Sequence, residues 1–211
     1  MPFRFGVLCP RLTRQVHQVS ASKPKTLKAL LKEAPSHDDI HRTLAELQLA
    51  PDYTTALVAS ALMETMVKYL IATHLIPLGA EHTERIFGET NGILGSFSAK
   101  INMSYALGLI GPETKEVLHR IRAIRNFFAH FTKHASFDDS EIRAECERFP
   151  FSKGMREIHK HHPEIREFHM SWLPKVKYIN SCFTVSADVS NHINFITTSE
   201  SLRFPIPIEP Y

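Results

Sequence analysis

Apolar positions along this chain recur with a helical period and almost nowhere alternate like a strand. In "SHDDIHRTLAELQL", Ile40, Leu44 and Leu47 fall on one face, and Ser36 and Asp39 stand ahead of them in capping-box spacing. Pro51 closes that helix. The next, about Asp52 to Ile76, is apolar nearly all the way round, the pattern of a bundle's central member, and Pro77 ends it. Four glycines and an Asn-Gly turn make residues 77–96 the longest loop-like stretch of the body. Ser96 or Ser98 then caps a helix whose apolar positions include Ile101, Tyr105 and Leu109 and whose stop is Gly111; Pro112 opens the following helix at once. So short a connection makes those two an antiparallel pair. A further helix starts with Asp138 and Glu141 in capping-box positions, and Lys175 to Ile196 keeps a helical period through Ile179, Phe183, Val189, Ile193 and Ile196. The pattern predicts an all-α, antiparallel helical bundle over residues 33–198. It lies between a basic N-terminal tail, 1–32, containing the short amphipathic start of "TLKALLKEA", and a Pro-rich C-terminal tail, 199–211.

Composition fits that reading. With 211 residues and 43% hydrophobic content the chain can bury a single-domain core. The run Ala56–Ile76 is long enough to span a bilayer, but it carries Glu64, Lys68 and His74, so it is expected to be a buried helix of a soluble protein with no membrane partner. Cys9, Cys146 and Cys182 lie far apart without zinc or disulfide spacing, and "FGVLC" is too short for a signal sequence; a cytoplasmic protein is expected. The histidines of "HKHHPEIREFH" match no common zinc spacing, and no metal or cofactor is indicated. "GETNGILGS", Gly88 to Ser96 with Gly92 and Gly95, lacks phosphate-loop spacing; its expected role is to position a helix start and pack close to a neighbour. Lys100, one turn inside that helix, is expected to be exposed. Asp138 and Asp139, at a helix start, are explained by the macrodipole.

Charge is unevenly distributed. Residues 1–32 hold seven Lys or Arg and no acid, leaving 18 basic against 22 acidic residues in the remainder. The cationic arm could hold phosphate backbones or serve as a transit segment, and the body is expected to carry no basic patch.

Candidate chemistry centres on "IRAIRNFFAH", Ile121 to His130. At 100° per residue Val117, Ile121, Ile124, Phe128 and Phe131 define a buried arc, while Arg122, Asn126 and His130 form a polar stripe opposite and Arg125 lies near the edge of the arc. One reading is metal-independent phosphoryl chemistry on RNA, with His130 as general acid/base, Arg125 stabilising the phosphorane and Asn126 orienting, completed by a second subunit. In the other, Arg125 neutralises Glu64, the one acid in the middle of the apolar helix, and the remaining polar groups face water.

The ordered set of elements from Ile86 to Phe149 resembles the mannitol operon repressor (MltR) family: a glycine-leucine-glycine turn, a serine-rich cap, a basic residue, "YALGLI", Arg-Asn-x-x-Ala-His and an acidic "FDD" loop. The resemblance implies an all-α bundle acting as a transcriptional regulator, with no recognised DNA-binding module. The chain itself shows no helix-turn-helix with a basic recognition helix, which points to regulation through a protein partner or homodimer. Arg125, Asn126 and His130 also resemble the Arg-x4-His motif of HEPN domains, helical bundles that include ribonucleases and inactive binding relatives.

Overall fold

The computed structural model describes residues 35–76, 78–130, 135–150 and 173–200, with side chains of the last helix described as far as Ile193. Both proposed tails, Phe131 and the histidine-rich segment lie outside the described residues, save that the last helix continues past residue 198. Among the described residues there are seven helices and no strand. They are α1 (His37–Glu46), α2 (Asp52–Ala72), α3 (Ala80–Phe87), α4 (Phe97–Ala106), α5 (Pro112–His130), α6 (Ser140–Cys146) and α7 (Pro174–Glu200). The chain is an all-α bundle.

α2 is its centre, packed against α4, α5 and α7. Its apolar composition follows from that position, because Ala56, Ala59, Met63, Met66, Val67, Leu70 and Ile71 are buried against different neighbours around the helix. α1 lays Ile40, Leu44 and Leu47 onto the core, and its contacts are with α7. Ser36 caps α1 by accepting from the Asp39 amide at 3.1 Å, while its own hydroxyl donates to the Asp39 carboxylate at 2.6 Å.

Four local expectations are corrected. The loop-like stretch after Pro77 contains α3, whose sequence "AEHTERIF" turns Phe87 into the core. α4 ends at Ala106, before Gly111. Gly108 takes φ +70°, its amide donates to the Tyr105 carbonyl at 3.0 Å, and the Leu109 amide donates to the Ser104 carbonyl at 2.9 Å. This is a Schellman termination, which a glycine supports because it alone lacks a Cβ to clash in the left-handed region. Tyr105 is 42% exposed rather than part of the apolar face, and the Lys115 ammonium lies 4.3 Å from its ring centroid. Finally, Asp139 and not Asp138 precedes α6, and it forms no capping bond: its carboxylate turns back to accept from the Ser136 amide at 3.0 Å.

The long-range polar node of the bundle is Asp52. Its carboxylate accepts from the Ser136 hydroxyl and the Phe137 amide, both at 3.0 Å, and meets Lys175 at 3.3 Å. The start of α2, the "FDD" loop and the start of α7 are thus tied together, with Phe137 buried beside Phe128 and Tyr178. Nothing in the sequence singles out Asp52 except an acid in the first turn after a proline, where the macrodipole alone would favour it.

Candidate functional site

Two groups of sequence-predicted residues occupy separate places. The first surrounds the glycine turn. Glu64 does find a cationic partner, but it is Lys100 and not Arg125: the Lys100 ammonium lies 2.6 Å from Glu64 Oε1 and donates to the Gly95 carbonyl at 2.9 Å. Lys100 is 3% exposed, which corrects the expectation of a surface lysine. The reason lies in the turn. Gly92 and Gly95 lie so close to the Gly88 backbone that a Cβ at either would sit 2.5 Å from it, and Gly92 N–H donates to the Gly88 carbonyl at 2.9 Å. So tight a turn brings the Gly95 carbonyl over the first turn of α4, where an unbranched lysine stem can pass beneath it. Ser96 caps α4 by accepting from the Ala99 amide at 3.1 Å, and Ser98 sits half-buried within the first turn. A depression of about 560 Å³ opens above the ion pair between α2 and α3, with Lys68 over the Phe87 ring at its side. Asp138, away from this turn in the loop before α6, pairs with Arg143 at 3.1 Å and stays on the surface.

The second group is on α5. Val117, Leu118, Ile121, Ile124 and Phe128 are buried, as the helical period predicts. Arg125 donates from Nη1 to Asn126 Oδ1 at 3.2 Å, and both side chains are half-buried. His130 is exposed at the C-terminal end of the helix. Burial drives the Tyr178 hydroxyl of α7 well above its ordinary pKa, and the charge of Arg125 opposes that rise; the hydroxyl donates to the Ala56 carbonyl at 2.9 Å. Arg125 and Asn126 are therefore brought together, while His130 follows Asn126 on the polar stripe and lies about 140° round the helix from Arg125.

The polar stripe opposite the core is longer than "IRAIRNFFAH". Lys115, His119, Arg122, Asn126 and His130 follow at spacings of four, three, four and four along α5. His119 Nε2 lies 3.2 Å from Asn102 Oδ1 of α4. Burial, and after it the positive charges of Arg122 and Lys115, hold the His119 pKa below the ordinary histidine value, so the ring is neutral at pH 7. Arg122 has a buried Nε without a partner. Lys115 and Arg122 of this stripe face no carboxylate among the described residues, and summed charge did not single them out because acids pair with cations elsewhere: Arg120 with Glu116 and Glu145, Lys177 with Glu147, and Arg148 with Glu145. The signal was present as a run without acid from Val117 to His130.

Cys146 and Cys182 are no nucleophiles. Burial pushes the Cys146 thiol up to about 12 and Cys182 higher still, so both remain protonated at neutral pH. No family model, curated protein or solved structure matches the chain.

Proposed function

We propose that this chain is a regulatory binding module of the mannitol operon repressor type, a cytoplasmic helical bundle that acts through a protein partner or a second copy of itself. The observation that carries the reading is the division of the α5 motif. Arg125 bonds to its neighbour Asn126 in a half-buried position, whereas His130 stands exposed at the helix end, about 140° round the helix. An acid–base pair acting on one phosphate must converge on it within hydrogen-bond reach, and a single helix does not bring these two groups to one point. The set of elements from Ile86 to Phe149 supplies the regulatory assignment by resemblance, and the glycine turn with its half-buried Glu64–Lys100 pair gives that set a structural purpose.

A HEPN-like ribonuclease is the second reading. It is favoured by one feature: Arg125 faces no carboxylate among the described residues, which leaves its guanidinium available to a phosphate shared with a partner subunit's helix.

Transcript profiling of the native host separates the two. Deleting the gene is expected to change the level of a defined set of transcripts, and both the wild-type chain and its His130→Ala form are expected to restore them. Restoration by the wild type alone would overturn the non-catalytic reading.

A further inference from the structure

Lysines and arginines on the described bundle are almost all neutralised. Apart from Lys68, which lies over Phe87, every one of them outside α5 faces a carboxylate. On α5 only Arg120 does so. Lys115, Arg122 and Arg125 have no carboxylate partner among the described residues, and Lys115 is committed to the Tyr105 ring, which leaves its charge intact.

α4, which flanks Lys115 and Arg122, contains no acidic residue, and on α5 itself Glu113 and Glu116 stand near Lys115 while no acid follows Glu116. α4 contributes Asn102 and Tyr105 instead, a hydrogen-bonding amide and an exposed aromatic ring. We propose that Lys115, His119 and Arg122, extended by Asn126 and flanked by Asn102 and Tyr105, form a site for the phosphodiester backbone of a single nucleic-acid strand. This goes beyond the protein-partner reading by assigning a second class of ligand to a face that the reading leaves unused.

Three features favour that ligand. From Lys115 to His130 the stripe runs about 22 Å along the helix at 1.5 Å per residue, with a cation or polar donor on every turn, which suits a chain of regularly spaced anions. α5 is flanked by α2, α4, α6 and α7, so it cannot enter a duplex groove as a projecting recognition helix does, whereas a flexible strand can lie along it. An acidic peptide helix would need an apolar groove for its own apolar face, and this stripe is polar throughout its length. His119 adds a reporter: burial, and after it the charges of Arg122 and Lys115, hold its pKa down, and a phosphate beside it would offset those charges.

The test is fluorescence anisotropy of the full chain with labelled 20-nucleotide single strands, as RNA and as DNA of the same sequence. Wild type is compared with Lys115→Gln/Arg122→Gln, with Lys115→Glu alone as a milder change, and with the control Arg143→Gln on α6. The double variant should bind about tenfold more weakly and lower the salt slope by about two, and the control should leave affinity unchanged. A stronger effect on RNA assigns the strand as RNA and an equal effect assigns the shared backbone. His119 ring resonances should titrate at higher pH when the strand is bound. Wild-type affinity in both α5 variants would overturn the proposal and place binding on residues 1–32. Failure of the strand to bind, or its displacement by polyglutamate at equal charge concentration with the same sensitivity to the variants, would also overturn it. None of these outcomes depends on whether RNA is cleaved, so the binding-module reading is tested separately.

Discussion

Lys100 shares its ammonium between Glu64 and the Gly95 carbonyl, and removing the charge strands both acceptors in a half-closed site. Lys100→Met is therefore expected to cost about 3 kcal/mol, read by urea denaturation. Glu64→Leu added to it should recover part of the loss, because the stranded carboxylate is gone. Arg125→Met, outside this pair, should cost less than Lys100→Met. That an acid in an apolar helix needs a partner was legible in the sequence. Which cation supplies it was not, since the choice depends on the glycine turn folding a lysine inward, a long-range geometry that helical period does not encode. Burial of Cys146 and Cys182 has its own consequence. Their folded-state pKa values lie above those of the unfolded chain, so the stability they contribute is complete below about pH 8.5 and falls as pH rises further. Thermal unfolding should shift down steadily between pH 9 and 11, about where unfolded thiols ionise. Iodoacetamide at pH 8 should label both residues only after denaturation, as peptide mapping would read; native labelling of Cys146 would contradict its burial.

The helices themselves were legible wherever an apolar face repeats. α1, α5 and α7 occupy the predicted stretches because their buried positions are spaced to meet one another, and α2 starts as predicted at Asp52 but ends at Ala72, short of the predicted Ile76, which is exposed. Terminations were less so. The end of α4 at Ala106 is set by Gly108 in the left-handed region, although a second glycine, Gly111, stood in an equally plausible place. Gly108→Ala should lower stability by roughly 1 kcal/mol through backbone strain, while Gly111→Ala, with open space around its Cβ position, should be nearly neutral. In the turn that sets up Lys100 the cost is steric. A Cβ at Gly92 meets the Gly88 backbone at 2.5 Å, so Gly92→Ala is expected to destabilise by on the order of 2 kcal/mol. A chemical melt of the three variants checks the order, and a Gly92→Ala protein as stable as wild type would show that the turn can open without loss. Tyr105 was misassigned to the core because its helical spacing is right; its exposure follows from the early end of α4, which leaves its ring at the rim beside Lys115.

At the scale of the molecule, charge is sorted by pairing. The carboxylates of α6 and of the residues just after it take up Arg120, Arg148 and Lys177, and Asp52 takes up Lys175, so among the described residues the cations without a carboxylate are Lys68 and, on α5, Lys115, Arg122 and Arg125. A sum over the sequence cannot reveal this, because net charge carries no information about which charges meet. The two readings of "IRAIRNFFAH" ask different things of this arrangement: the proposed binding role uses cations and donors spread along the helix, while catalysis needs Arg125 and His130 on one phosphate. Incubating the purified full-length chain and its His130→Ala form with labelled single-stranded RNA in EDTA puts the question directly. A binding module leaves the RNA intact in both cases. Products ending in a 2′,3′-cyclic phosphate, formed by the wild type and lost in His130→Ala, would contradict the account and make α5 an active-site helix.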